Sequence, residues 1–222
     1  MNLEDLKNGV KDIFVEFKEP KTFILAGRAI CGDSSAQMQL VSEIAKNVLS
    51  LPDMLFFHKF KEFLDGTYKS EDDRSKMREW IVSNGDKEDN AIRIMSYIDN
   101  AISLKKIKYF SNATRCALNY EIDLETYFEI CHAIDAVLES DLKFLSDNII
   151  ENYEKPFNQN YHTQKLYSAG LMTFIQGIST HGRHRFNVLA KLVDVCAVNF
   201  DNDARYPNRK KEIDEIKSEL SL

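Results

Sequence analysis

From Leu3 to Ile149, segment after segment places apolar residues three or four positions apart, separated by polar breaks, and that interval points to packed α-helices. Leu3, Leu6, Val10, Ile13, Phe14 and Phe17 predict a first helix, capped by Asn2 and stopped before Pro20. The apolar segment from Lys21 to Asp33, which contains Gly27 and Gly32, reads as an extended segment or as a short buried helix. Met38, Val41, Ile44, Ala45, Val48 and Leu49 then predict a helix from about Ser35 to Leu49. The next runs from Pro52, a favoured first-turn residue, to Leu64, and Gly66 fits its stop.

Ser70 with Asp73 three residues on has the spacing of a reciprocal cap, followed by Met77, Trp80 and Ile81 and a break at Asn84-Gly85. Asp86 opens a helix striped by Ile92, Met95, Ile98 and Ile102, and Ile107, Phe110, Cys116 and Leu118 stripe the one after it. Asp123 caps the longest candidate. It extends to about Ile150 through Tyr127, Ile130, Cys131, Ile134, Val137, Leu138, Leu142, Leu145 and Ile149, long enough to be a central helix spanning the whole body.

The pattern changes after Pro156. A polar stretch leads into a short helix ending at Gly170. Leu171 to Ile175 and His184 to Val188 then favour strands on either side of a turn at Ser179 to Arg183. A helix carrying Leu189, Leu192, Val193, Cys196 and Phe200 follows. Helix, hairpin, helix is the order of a winged-helix end. The expected fold is therefore mainly α: a helical bundle over 1–155, a small winged-helix-like β-hairpin module over 156–206, and a charged tail over 207–222 with a short helix around Ile213, Ile216 and Leu220.

The net charge of −6 denies the chain a global positive field, so any contact with nucleic acid has to be local. Cys31, Cys116, Cys131 and Cys196 form no CxxC pair and read as reduced core thiols. The N-terminus lacks the basic start and apolar core of a signal peptide, and no run of about 18 apolar residues suggests a membrane span. A cytoplasmic protein is expected.

No phosphate-loop, dinucleotide, nucleophile-elbow or HExxH signature is present, and no cofactor is expected. Glu129, His132 and Asp135 share roughly one helix face as ExxHxxD, which contains the Glu-x-x-His element of carboxylate-bridged metal bundles, although those need a second such motif and two further glutamates. His162, His181 and His184 are a weaker candidate ligand set; a solvated turn is the plainer reading. Gly27, Gly32 and Ser34-Ser35 precede a helix and offer amides to an anion, without a phosphate-loop lysine. Arg183 and Arg185 at the hairpin tip, with Lys165 on the preceding helix, are where a wing would meet a phosphate backbone. Phe56, Phe57 and Phe60 cover more than one helix face; core burial is favoured over a sticky patch for a partner.

Three blocks carry a family resemblance: Phe57-His58-Lys59-Phe60-Lys61-Glu62-Phe63-Leu64, Glu121-Ile122-Asp123-Leu124, and Leu166-Tyr167-Ser168-Ala169-Gly170-Leu171 followed by Phe186-Asn187-Val188. In these the chain resembles bacterial and prophage proteins of the abortive-infection type, in which a helical body precedes a winged-helix-like end. The resemblance implies a host–phage setting and no reaction. The leading expectation is a non-enzymatic interaction protein that binds a protein partner or itself. A winged-helix DNA-binding regulator and a helical metal-binding enzyme using the ExxHxxD cluster are the alternatives.

Overall fold

In the computed structural model, which describes residues 20–46, 51–83, 87–120, 122–175 and 183–220, the chain is mainly α-helical with one small three-stranded antiparallel sheet. It divides into two compact units, Met1–Asn100 and Ala101–Leu222. The first expected helix, Leu3 to Phe17, lies outside the described residues.

In the first unit the apolar stretch after Pro20 is a helix, α1 (Pro20–Ile30), with proline at a first-turn position where its missing N–H costs nothing. Gly32 turns the chain with φ +80, a conformation only glycine adopts freely, and an added Cβ there meets the Arg74 backbone oxygen at 2.6 Å. Asp33 then caps α2 (Ser34–Lys46) by accepting from the Ala36 amide at 3.0 Å. The burial of α2 falls on Ala36 and Leu40, whereas Met38 and Val41 of the expected stripe face solvent, Met38 at 69% exposure.

The described part of this unit continues with the helices α3 (Leu51–Thr67), α4 (Glu71–Ser83) and α5 (Lys87–Asn100), with α5 packed on α1, α3 and α4. The predicted cap of α4 is present: the Ser70 amide donates to Asp73 Oδ2 at 2.9 Å and the Asp73 amide to Ser70 Oγ at 3.2 Å. On α5 the buried face is Ala91, Ile94, Met95 and Ile98, while Ile92 is half-buried and Ile102 falls beyond the helix, exposed. The break expected at Asn84-Gly85 lies outside the described residues.

The second unit is built on α6 (Leu104–Tyr120), whose Ile107, Phe110, Ala113, Cys116 and Ala117 are buried between α7 (Leu124–Ala136) and a π-helical turn, Asp194–Val198. This corrects the expected central helix from Asp123 to Ile150. That run is two helices, α7 and α8 (Glu139–Asn152), separated at Val137 and Leu138. Interrupting a helix frees backbone groups, and two of them are taken up here by buried side chains. Lys106, a buried lysine, donates its Nζ to the Asp135 carbonyl at 2.7 Å near the end of α7. Asp141, also buried, accepts from the Leu138 amide at 3.0 Å at the start of α8.

Beyond α8 come β1 (Phe157–Asn158), α9 (Tyr161–Ser168), β2 (Met172–Ile175) and β3 (Arg183–Phe186), with sheet order β1-β3-β2. Asn160 caps α9, and Gly170 at φ +76 ends it in a Schellman turn in which the Leu171 amide reaches the Leu166 carbonyl at 2.8 Å. Asn187 then caps α10 (Val188–Val193), which runs into the π-turn; α11 (Arg209–Leu220) packs on α10 through buried Ile213 and Ile216.

Cys116, Cys131 and Cys196 are buried and in no disulfide, as expected of core cysteines, and Cys31 is half-buried. Among the described residues no helix is long and apolar enough to cross a membrane.

Candidate functional site

Strand geometry decides where the arginines point. Along β3, Arg183 and Arg185 are exposed while His184 and Phe186 between and after them are buried, so the two arginines share one face of the sheet. Arg183 pairs with Asn158 on β1 and Ile175 on β2, and Arg185 pairs with Thr173, which places these residues on the same outer face. The arginines stand in the strand and not on the turn; residues 176–182, including His181, lie outside the described residues. Arg185 is paired with the exposed Glu154 at 3.2 Å, whereas Arg183 makes no ion pair among the described residues.

Lys165 is on the opposite side. The His184 ring, which alternates with the arginines, packs against Tyr167 of α9 with centroids 5.0 Å apart, so α9 covers the inner face of the sheet. The solvent side of α9 presents Tyr161, Gln164, Lys165, Tyr167 and Ser168, with the Lys165 ammonium 5.7 Å from the Tyr161 ring centroid. The three cations thus do not converge; they flank a thin module from two sides.

One compositional feature unites both sides. From Lys155 to Val193 the chain has no Asp or Glu, although it holds Lys155, Lys165, Arg183, Arg185 and Lys191. In a chain with 35 acidic residues this stretch is locally cationic along the sequence; in the fold Glu154 pairs with Arg185 and Glu219 with Lys191, which leaves Lys165 and Arg183 outside any ion pair among the described residues. The signal is visible in the sequence, but the net charge averages it away.

His162 is accounted for otherwise: its Nδ1 meets Asp141 Oδ1 at 2.7 Å, and its ring stacks on Phe144 with centroids 5.1 Å apart. Asp141 therefore serves two elements, capping α8 with one oxygen and fixing α9 with the other. His184 is 3% exposed and its Nδ1 takes no hydrogen bond. Burial holds its imidazole below the ordinary histidine pKa.

Glu129 and His132 are exposed on α7 and line an open groove of about 530 Å³ with Gly170, Asn187, Leu189 and Leu220. Asp135, the third member of the ExxHxxD set, does not line it. Among the described residues no three His, Cys, Asp or Glu side chains form a group that could hold a metal ion. In the first unit, the amides at the start of α2 are occupied by Asp33, whose carboxyl is held low by the Ala36 amide and by Arg28, which donates to it at 2.6 Å. Phe56, Phe57 and Phe60 are buried, which agrees with the favoured core reading and leaves the alternative, a patch for a partner, without exposed rings; the exposed residues of α3 nearby are Met54, Leu55 and His58.

Comparison of the chain with family models, with curated proteins and with solved structures yields no match.

Proposed function

We propose that this protein is a non-catalytic binding protein whose C-terminal module meets a nucleic acid. The observation that carries the reading is the acid-free stretch Lys155 to Val193, folded so that exposed Arg183 and Arg185 occupy one side and Lys165 the other. Exposed cations bind a phosphate backbone through counterion release, Arg183 and Lys165 directly and Arg185 by exchanging its exposed partner Glu154 for a phosphate, and charges elsewhere on the chain are screened beyond a Debye length of about 10 Å. The order of α9, a hairpin and α10, with β3 central in the sheet, fits a winged-helix-like module. The helix before the hairpin and the hairpin each offer a contact to the polymer, one on either side of the module. Tyr161, Gln164, Lys165 and Ser168 are side chains suited to that contact. The reading also fits the host–phage setting implied by the sequence resemblance.

The test is a mobility shift with mixed-sequence oligonucleotides at low and moderate salt. The wild-type chain binds and releases with rising salt, and the double variant Arg183→Ala, Arg185→Ala binds at least tenfold more weakly. Unchanged binding by that variant, or none by the wild type, rules the reading out.

A further inference from the structure

Two large rings of the C-terminal module stand half in solvent: Phe174 on β2 is 52% exposed and Tyr167 on α9 is 47% exposed. Single apolar residues scattered over a surface are ordinary. These two are coupled. Both pack against the buried His184 imidazole, Tyr167 at 5.0 Å between centroids with planes inclined by 50°, Phe174 at 5.8 Å and 70°. Phe174 and His184 are cross-strand partners in the β2–β3 ladder, so the sheet fixes one ring, and α9 fixes the other. The imidazole acts as a wedge that sets the separation of the two exposed rings. Its Nδ1 is buried and makes no hydrogen bond to another protein group.

The electrostatic setting narrows what such a pair receives. Lys165 lies two residues before Tyr167, and no carboxylate occurs anywhere in the stretch that forms α9, β2 and β3. Aromatic faces interleaved with cations and free of acids take up bases and phosphates together, the ring meeting the base face and the cation the backbone. A paired base hides its faces inside the duplex, whereas an unpaired one offers them.

We infer that Tyr167 and Phe174 form a stacking platform for unpaired nucleobases, so that the module prefers single-stranded nucleic acid to duplex; this rests on the nucleic-acid reading above. Every base has a π-face, so the platform is tolerant of sequence, and its contribution is independent of salt.

The experiment titrates the full chain into a fluorescent single-stranded oligonucleotide and into the duplex of the same sequence, following anisotropy. Tyr167→Leu and Phe174→Leu keep apolar volume while removing the π-face, and each is expected to weaken single-strand binding roughly tenfold to a hundredfold. Their salt dependence stays that of the wild type. Tyr167→Phe and Phe174→Tyr, which keep the face, retain wild-type affinity and exclude misfolding as the cause. Equal wild-type affinity for duplex and single strand, or leucine variants that bind as wild type while Arg183→Ala, Arg185→Ala loses binding, overturns the platform and leaves the nucleic-acid reading standing. No binding to any oligonucleotide removes both. If a concentration-dependent dimer that the leucine variants lose accompanies that failure, the rings belong to self-association instead.

Discussion

Replacing Asp194 tests how the second unit is held together. The residue is fully buried in the π-turn, and its carboxylate accepts from Asn199 Nδ2 at 2.8 Å, from Arg205 Nε and Nη2 at 3.0 Å each, and from the Tyr206 hydroxyl. Arg205 continues to the Ser146 carbonyl of α8, so one acid ties the turn, the connection to α11 and α8 into a single network. Asp194→Ala removes the acceptor and strands the Arg205 guanidinium, whose side chain is only 20% exposed. Breaking a buried pair from one side costs about 3–5 kcal/mol, and the residual hydration of Arg205 places the cost toward ~3 kcal/mol. The entropy of unfolding for a unit of this length is about 0.25 kcal/mol/K, so the midpoint of its thermal transition falls by roughly 12 °C. Calorimetry with far-ultraviolet circular dichroism reads the shift, and hydrogen exchange at the Val195 to Val198 amides assigns it to this unit. Removing both charges, as in Asp194→Leu with Arg205→Met, is expected to recover much of the loss, because no stranded ion remains. A fall of less than about 3 °C for Asp194→Ala would refute the reasoning, since the penalty of an uncompensated buried cation is its whole basis.

Two further outcomes follow from single residues. Burial lowers the His184 pKa below the ordinary 6.5, so the unfolded chain takes up a proton that the folded one refuses, and stability present above pH 6.5 is lost as pH falls through that value. The slope reaches at most about 1.4 kcal/mol per pH unit; His184→Phe flattens it in urea titrations between about pH 7.5 and pH 5.5, and an unchanged slope would show that the imidazole is not its source. The two left-handed glycines are expected to differ: Gly170→Ala has no heavy atom within 4 Å of its new Cβ and costs only the backbone strain of about 1–2 kcal/mol. Gly32→Ala adds a collision with the Arg74 carbonyl and costs measurably more, so equal losses would contradict the placement of α4 against that turn.

What was legible in the sequence is what a single turn of helix determines. The Ser70 and Asp73 cap, the Asp123 cap of α7, which accepts from the Thr126 amide at 2.9 Å, and the glycine stop of α9 all depend on residues within a few positions of one another. The strands at Met172–Ile175 and Arg183–Phe186 were legible for the same reason, from residue type and alternation. The helix break at Val137 and Leu138 was not. Apolar spacing runs straight through it, and the Asp135 carbonyl and Leu138 amide it frees are met by Lys106, about thirty positions away, and by Asp141, which His162 contacts from another helix. Stripe phase failed on α2 for a related cause: Met38 and Val41 share helical spacing, but the neighbouring helix packs on small Ala36 and on Leu40 instead. At the candidate site the arginines were found by type and misplaced by position, since a strand and a turn tip differ by one residue of register. Tyr167 and Phe174 acquired meaning only once the sheet put His184 between them.

The salt dependence of single-strand binding tests the central claim most directly. For the intact chain, log affinity falls linearly with log salt, and removing Arg183 and Arg185 together makes the slope shallower by about 1.4, at roughly 0.7 for each phosphate that is no longer neutralised on a single strand. A slope identical in the two proteins, or affinity indifferent to salt, would mean that the acid-free module does not hold a phosphate backbone.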